Sequence, residues 1–500
     1  MSQLPSTRAE SSGYRETSLH ADVLRFLGEL EGRKDSRLAR LSFGESPEGR
    51  ELPLVVLSKS GVRSPVAARR LDKPVVLVIN GIHSGEVEGK EASLMLVRDL
   101  LTSSLGDLLE HVTVLSVPLF NPDGNDRISP DNRKLDLEKL EGQIGPDTGV
   151  GTRGNASGVN LNRDYMRQGA PEMQLLQKRV CLPWQSHLTI DCHSTNGSVH
   201  RFAMTYDVPH TIESGRAEPI LFMRERALPV VRSEVKRNFG LDSFWYGNFM
   251  ADEKQSGEGW ITYTHHPRFG SNYRGLTGRM DVLLEAYSYL PFEERVRTTY
   301  AFLVELLRFA AGHASELLTV VESCQSPPPR VAVRYKLEEF PGRVEILTRE
   351  PRNLEGQPVS VHIPHRARFV GAEVVDRPWG YVVPPDLGEV FRRHGLELAS
   401  IGQERRAAVE VPRVDSVSRA GSRKILEATD LGELTLDAHY ERKKVTLPAG
   451  ACIVPTEQPL GAIATYLCEA KSDDGLWVNG LLPEPKVGDE LPVWRVSEPL

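Results

Sequence analysis

A histidine and a glutamate stand close together in the stretch Val75–Glu86, which reads VVLVINGIHSGE. His83 and Glu86 are separated by two residues and follow an apolar run that ends at Asn80-Gly81. An imidazole nitrogen and a carboxylate oxygen that leave the same turn can point at one centre, and both are ligands of divalent ions such as Zn²⁺. The pair alone also fits a loop histidine and a surface glutamate, because His-x-x-Glu arises by chance in a chain of this size. A metal site needs a third ligand from elsewhere.

Buried strands must bring distant side chains to this turn. The run from Val75 has no polar alternation, which predicts a strand buried on both faces. A helix follows, and residues 112–120, VTVLSVPLF, predict a second buried strand. The later runs LTIDCHS and MDVLLEAY carry His193 and Glu285 at or near their ends. Strand, helix and strand at this spacing predict an α/β sheet whose loops emerge where the strands end.

The stretch 127–157 is charged, rich in glycine and without clear periodicity. A loop of this length in a compact domain is either disordered or functional. Its end, TRGNASGVNLNRDY, favours function because it brings Arg153, Asn162 and Arg163 close to one another in sequence.

Several short motifs occur in one order along the first two thirds of the chain. GIHSGE, NPDG, GVNLNRD, DCHS and LLEAY, together with SPEGREL, resemble the carboxypeptidase A-like zinc carboxypeptidases over roughly residues 35–315. PRFGSNYRGL and PTEQPLGAIATYL are similar to a bacterial subgroup of that family with an added C-terminal domain. The resemblance implies an α/β fold, with a mixed-sheet α/β/α catalytic domain followed by a mainly β domain.

The resemblance also implies the catalytic roles. His83, Glu86 and His193 would bind one Zn²⁺ per chain and leave a coordination position for water, as a two-nitrogen, one-carboxylate site typically does. Glu285 matches the general base, which takes a proton from this water and passes it to the leaving amine.

Arginine and asparagine side chains match the substrate contacts of the family. Arg153 corresponds to the arginine that polarises the scissile carbonyl, with Arg127 and Arg133 as alternatives in the same loop. Asn162 and Arg163 correspond to the pair that binds the terminal carboxylate of the substrate.

Two positions are less clear. Asn160 stands where the family has an aspartate that hydrogen-bonds the first zinc histidine, and an amide lends that histidine no negative charge. We therefore expect a weaker metal site or a less basic His83. For the tyrosine that caps the substrate pocket we select Tyr273 over Tyr263, although a packed core aromatic fits either position equally well.

The composition changes at Cys324-Gln-Ser-Pro-Pro-Pro, which predicts a linker. We predict an N-terminal extension and helix over residues 1–34, the catalytic domain over residues 35–320 and a mainly β accessory domain over residues 330–500. In the last of these, short valine-rich runs broken by proline and glycine predict a sandwich or two small sheets.

Charge and hydropathy exclude several classes of partner. The net charge of −7 is spread along 500 residues without a basic block, so we expect no nucleic acid partner. No apolar run approaches the roughly 18 residues of a membrane helix. The sequence begins without an export signal, which favours the cytoplasm.

The five cysteines lack C-x-x-C spacing and predict free thiols, with Cys192 facing away from His193. The oligomeric state is not indicated.

These observations predict a zinc-dependent hydrolase that removes C-terminal residues from peptides with a free carboxylate. One alternative is a zinc-dependent amidase or deacylase that acts on N-acyl amino acids or cell-wall peptides. Another is a non-catalytic protein that binds carboxylates, which leaves the ordered set of ligands and base unexplained. The side chain preferred at the cleaved end is not readable from the sequence.

Overall fold

The strands form a large mixed sheet and two smaller sheets in a computed structural model that describes residues 4–250, 258–420 and 433–499. Residues 1–3, 421–432 and 500, which belong to the predicted extension and accessory domain, lie outside the described residues, as do residues 251–257. In chain order the strands are β1 (Leu38–Glu45), β2 (Glu51–Leu57), β3 (Val75–Asn80), β4 (Thr113–Val117), β5 (Leu188–Thr195), β6 (Met204–Asp207), β7 (Ser243–Trp245), β8 (Asn248–Phe249), β9 (Trp260–Ile261), β10 (Met280–Tyr287), β11 (Arg330–Glu350), β12 (Gln357–Asp376), β13 (Gly380–Val383), β14 (Ala399–Ser400), β15 (Arg405–Ala420), β16 (Glu433–Leu447), β17 (Cys452–Pro455) and β18 (Trp494–Val496).

Most of the helices precede or connect the strands of the large sheet, and the last two belong to the C-terminal part. The helices are α1 (Arg8–Ser11), α2 (His20–Glu31), α3 (Pro65–Arg69), α4 (Glu88–Thr102), α5 (Pro122–Asn125), α6 (Pro171–Leu175), α7 (Leu182–Trp184), α8 (Ala217–Leu221), α9 (Leu228–Phe239), α10 (Gly270–Gly275), α11 (Phe292–Gly312), α12 (Ala314–Glu322), α13 (Gly388–Arg393) and α14 (Gly461–Cys468). Helices α11 and α12 are separated at His313, whose ψ of 27° is not helical. Within the described parts of the chain, no helix combines the length and apolarity that crossing a membrane requires.

The large sheet has the strand order β1-β2-β4-β3-β5-β10-β6-β7. Strands β4, β3, β5 and β10 run parallel to their neighbours in this order, whereas β1, β2 and β6 pair antiparallel. The predicted mixed sheet is therefore confirmed. Strands β3, β4 and β5 are buried along their whole lengths, as expected for parallel strands covered on both faces.

Alternation along the strands separates two hydrophobic cores. On β3, Val76 and Val78 join the core under α2, α4, α9 and α11, while Val75, Leu77 and Ile79 face the opposite side. That opposite core also contains side chains from the C-terminal part of the chain, among them Tyr381, Phe391, Tyr466 and Trp477. The C-terminal part thus packs on the sheet through a shared apolar core.

The C-terminal part is mainly β, as predicted, and forms two further sheets. Their strand orders are β11-β12-β9-β8 and β14-β17-β13-β18-β15-β16. Strands β11 and β12 form a long hairpin, and β12 pairs in parallel with β9 through His365 and Arg366. Strand β9 is limited to Trp260–Ile261, where β12 supplies the pairing. One sheet therefore joins strands from both sides of the predicted linker.

Candidate active site

Neighbouring parallel strands deliver the candidate side chains to one edge of the large sheet. Strand β10 pairs with β5 in a register that places Glu285 directly beside His193. Strand β3 pairs with β5 on its other side. Because parallel strands end at the same edge, the turn after β3 brings His83 and Glu86 next to His193. Residues far apart in sequence therefore meet through sheet order and register.

The side chains of His83, Glu86 and His193 converge on one point. Nδ1 of His83 lies 3.1 Å from Oε1 of Glu86, Nδ1 of His193 lies 2.9 Å from Oε2 of Glu86, and the two Nδ1 atoms are 3.3 Å apart. Ligands that bind zinc tetrahedrally at about 2.0 Å stand about 3.3 Å from one another. The three side chains expose only 3–4 % of their surfaces. This donor set fits a zinc ion with one coordination position left open.

Polar side chains contact the Nε2 atoms of the two imidazoles, whose Nδ1 atoms face the proposed metal position. Nε2 of His83 lies 2.9 Å from Oδ1 of Asn160, and Nε2 of His193 lies 3.1 Å from Oδ1 of Asp191. Burial opposes the ionisation of Asp191, but Arg274 and His193 together hold the pKa of its carboxyl well below the usual range. Partners of this kind fix the orientation of a metal-binding imidazole and raise its basicity. Asn160 therefore stands in the predicted position, without the charge that an aspartate would bring.

We expect the substitution Asn160→Asp to tighten zinc binding. Burial and the charge of Arg153 lower the pKa of His83 to about 4, so its imidazole is weakly basic. A carboxylate behind His83 would oppose this effect, and such partners typically change metal affinity about 10- to 100-fold. We predict that the Kd for Zn²⁺ falls at least about tenfold, measured by competition with a chromogenic chelator.

A matched control for this variant is Asn132→Asp, in the same loop. The amide of Asn132 donates a hydrogen bond of 2.9 Å to the carbonyl of Val150 and does not contact His83. Asn132→Asp adds the same negative charge at a distance from His83, so it should leave the Kd for Zn²⁺ unchanged. If Asn160→Asp leaves the zinc affinity unchanged while Asn132→Asp behaves as the wild type, the amide of Asn160 does not weaken zinc binding.

Glu285 lies in the wall of a cavity of about 210 Å³ that the three converging side chains also line. Burial raises the pKa of Glu285 to about 8; the charge of Glu86 acts in the same direction, and His193 acts against it. A carboxyl group that titrates near neutral pH can both accept and release a proton under working conditions. The position of Glu285 is therefore suited to proton transfer.

Two arginines of the long loop enter the same cavity. Nη1 of Arg133 lies 3.1 Å from Oε1 of Glu86, and Nη1 of Arg153 lies 3.2 Å from the same oxygen. The side chain of Arg133 is 16 % exposed and that of Arg153 is 35 % exposed, so Arg153 is the more accessible from the cavity. Arg127 instead pairs with Glu48 at the surface. Of the three arginines considered from the sequence, the structure brings Arg153 and Arg133 to the cavity.

Asn162 and Arg163 line the cavity beside the arginines. The guanidinium carbon of Arg163 lies 3.7 Å from the centre of the Phe269 ring, which fixes the plane of the guanidinium. Oδ1 of Asn162 accepts a hydrogen bond of 2.8 Å from the backbone N–H of Gly270. The pair is therefore held in place from the segment that contains Phe269 and Gly270.

The structure does not place Tyr273 at the cavity. Its hydroxyl lies 2.8 Å from Nδ1 of His394, and its ring packs against Tyr165. Tyr263 and Tyr246 line the cavity instead, with ring centres 5.7 Å apart. The choice of Tyr273 over Tyr263 is thus corrected, because Tyr273 lies on helix α10, which faces the C-terminal part of the chain, whereas Tyr263 precedes that helix.

Several further residues line the cavity without a role assigned from the sequence. They are Ser194, Thr195, Asn196, Tyr246, Phe269, Ser271 and Leu283. The first three directly follow His193 and Tyr246 directly follows β7, so a search of strand ends could have found them. Phe269 precedes the short helix α10 and Ser271 lies in its first turn, where no periodic signal marks them.

Comparisons with known proteins find carboxypeptidases. Residues 23–186 match the profile of the family described as zinc carboxypeptidase, a span that includes His83, Glu86, Arg153, Asn162 and Arg163. Carboxypeptidase 2 of Trichophyton tonsurans is 21 % identical over 482 residues, covering 91 % of this chain and 82 % of the relative. Carboxypeptidase D of Drosophila melanogaster is 31 % identical over 127 residues, covering 24 % of this chain and 8 % of the relative.

Solved structures are also similar to this chain. A metallo-carboxypeptidase from Burkholderia cenocepacia is 18 % identical, with a TM-score of 0.41 over 59 % of this chain and 70 % of that chain. The carboxypeptidase A from Helicoverpa armigera is 17 % identical, with a TM-score of 0.40 over 62 % of this chain and 77 % of that chain. The family match over residues 23–186 and the curated relatives thus identify a zinc carboxypeptidase domain in this chain and indicate a peptidase.

Proposed function

We propose that the chain is a zinc-dependent carboxypeptidase that removes the C-terminal residue of a peptide. One observation carries this proposal. The converging side chains of His83, Glu86 and His193, the acid–base candidate Glu285 and the cation of Arg163 all line a single cavity. Residues 35–320 would form the catalytic domain and residues 330–500 the accessory domain.

His83, Glu86 and His193 would hold one zinc ion per chain through two nitrogens and one carboxylate. Zinc in such a site supplies a Lewis acid that lowers the pKa of water to about 7 and polarises a carbonyl group. The neutral form of His83, whose pKa is lowered to about 4, is the form that a metal ligand requires.

Glu285 would act as the general base and then as the general acid. Its carboxylate would take the proton of the attacking water and deliver it to the nitrogen of the leaving amino acid. The pKa of about 8 makes the protonated form accessible for the second transfer. Arg153 would donate hydrogen bonds to the oxygen of the scissile carbonyl as negative charge develops there, with Arg133 adding positive potential from the cavity wall.

Arg163 and Asn162 would define the end of the substrate. A guanidinium donates two parallel hydrogen bonds to a carboxylate, and the contact with Phe269 keeps its plane fixed. Tyr263 and Tyr246 would cover the terminal residue from the cavity wall. The exclusion of water by these rings strengthens the charge interactions inside the cavity.

A panel of matched substrates tests the proposal. Peptides with free C-termini should be cleaved, and the same peptides with amidated C-termini should not, because the amide lacks the charge that Arg163 binds. The panel includes N-acyl amino acids, which have a free carboxylate but no peptide chain. If only the N-acyl amino acids are hydrolysed, the enzyme is a deacylase and the carboxypeptidase proposal fails.

The substitution Arg163→Met is expected to raise KM for free-carboxylate peptides by about 10²-fold, because a charge-assisted pair is lost while the apolar volume over Phe269 is kept. Steady-state kinetics on one peptide series measures this change. Arg127→Met is the matched control, because Arg127 belongs to the same loop region and pairs with Glu48 at the surface. An unchanged KM in Arg163→Met would remove Arg163 from substrate binding.

A further inference from the structure

One segment connects the proposed substrate contacts. Residues 262–275, here called the cavity-wall segment, contain Tyr263, which lines the cavity, and Phe269, whose ring supports Arg163. The N–H of Gly270 in the same segment donates a hydrogen bond to Asn162. The position of the carboxylate-binding pair therefore depends on the position of this segment.

The same segment also contacts the proposed metal site, through Asp191. Nη2 of Arg274 lies 2.6 Å from Oδ2 of Asp191, and the other oxygen of Asp191 lies 3.1 Å from Nε2 of His193. Arg274 also pairs with Asp281 on β10, and all these groups are buried. This end of the segment is tied to the large sheet itself.

The other end of the segment is held by the C-terminal part of the chain. Oδ1 of Asp474 lies 2.8 Å from Nε of Arg268, and its Oδ2 accepts a hydrogen bond of 2.5 Å from the backbone N–H of Arg268. Oδ2 of Asp473 lies 2.7 Å from Nε2 of His265. Two consecutive aspartates thus bind the stretch that directly precedes Phe269.

Both aspartates are themselves fixed within the C-terminal part. The hydroxyl of Tyr466 donates a hydrogen bond of 2.6 Å to Asp473, and Nδ2 of Asn479 lies 3.1 Å from Oδ1 of Asp474. Asp474 is fully buried, so its charge is compensated mainly by Arg268. A buried ion pair of this kind holds the cavity-wall segment in one position, because breaking the pair leaves a buried charge without compensation.

We propose that Asp473 and Asp474 are positioning residues through which the C-terminal part of the chain holds the carboxylate-binding pair in place. This inference rests on the proposed function of Arg163 and Asn162. The aspartates do not touch the cavity and act through His265, Arg268 and Phe269. Loss of either contact therefore loosens substrate binding more than it alters the metal site, because the Arg274 end of the segment stays tied to the sheet.

The test compares Asp474→Asn and Asp473→Asn with a matched control, Glu469→Gln. Glu469 is a buried carboxylate of the C-terminal part, and it pairs with Arg495 and accepts hydrogen bonds from Tyr381 and Tyr440. The full-length variants are compared for zinc content, kcat and KM on a free-carboxylate peptide, and hydrogen exchange of residues 262–275. Asp473→Asn breaks the more exposed contact and provides a folded variant if Asp474→Asn does not fold.

We expect both aspartate variants to retain one zinc and to show a KM about tenfold or more above the wild type. Their kcat should stay within about threefold, and exchange in residues 262–275 should rise about tenfold. Glu469→Gln should leave KM and this exchange unchanged. Hydrogen exchange needs no substrate, so it tests the connection even if the wild type cleaves no peptide.

Three results would overturn the proposal. The first is a folded aspartate variant with the KM and exchange of the wild type. The second is an equal rise of KM in Glu469→Gln, which would indicate general destabilisation. The third is a loss of bound metal in Asp473→Asn, because His265, His266 and Asp473 lie close enough together to hold a cation themselves.

Discussion

The substitution Glu285→Gln is expected to lower kcat by about 10²- to 10⁴-fold while the protein keeps its zinc. Glutamine has nearly the same shape as the glutamate but cannot accept and then release a proton. Glu285 stands beside His193 in the sheet register and lines the cavity with the three proposed ligands, without belonging to the ligand set itself. Metal binding should therefore be unaffected. Steady-state kinetics and metal analysis on the same preparation measure the two quantities.

The control for this variant is Glu305→Gln. Glu305 is a buried carboxylate of the proposed catalytic domain, but it lies on α11 and binds Asn238 and Arg308 outside the cavity. Its substitution should change stability without changing kcat. A Glu285→Gln enzyme with the kcat of the wild type would show that another group moves the proton, and the mechanism proposed above would be wrong.

Loss of the metal is expected to abolish activity. The substitution His193→Ala removes one of three proposed ligands from a site that is almost fully buried, which leaves one imidazole and one carboxylate. We expect a protein without stoichiometric zinc and a loss of kcat/KM of more than about 10⁴-fold. Metal analysis and kinetics on the purified variant measure both effects.

The reversible counterpart of this experiment uses the wild type. Removal of zinc by a chelator should inactivate the enzyme, and added Zn²⁺ should restore activity in proportion to the zinc bound. For the His193→Ala variant, the matched control is His313→Ala, because His313 ends α11 and packs on Phe309 away from the cavity. Full activity in metal-free protein would refute the zinc-dependent mechanism.

The sequence alone determined which stretches form the buried strands of the large sheet. Apolar runs without alternation predicted β3 and β4, and the runs LTIDCHS and MDVLLEAY predicted β5 and β10. The reason for the first two is physical, because a parallel strand covered on both faces is mostly apolar. Chemically active residue types at the ends of these runs predicted a metal site, and the order of the motifs along the chain resembled the zinc carboxypeptidases.

The sequence could not decide the contacts that arise outside regular elements. Spacing did not distinguish Tyr263 from Tyr273, since Tyr263 lies in an irregular stretch and Tyr273 lies on the short helix α10. Local patterns equally gave no sign that Asp473 and Asp474 would bind the stretch before Phe269.

Only the tertiary structure decided these points, because they depend on which strands become neighbours and in what register. The pairing of β10 with β5 sets Glu285 beside His193, and the shared core brings the C-terminal part against the cavity-wall segment. Such contacts join residues separated by long stretches of chain, so their free energy comes from burial of the assembled surfaces and leaves no local mark in the sequence.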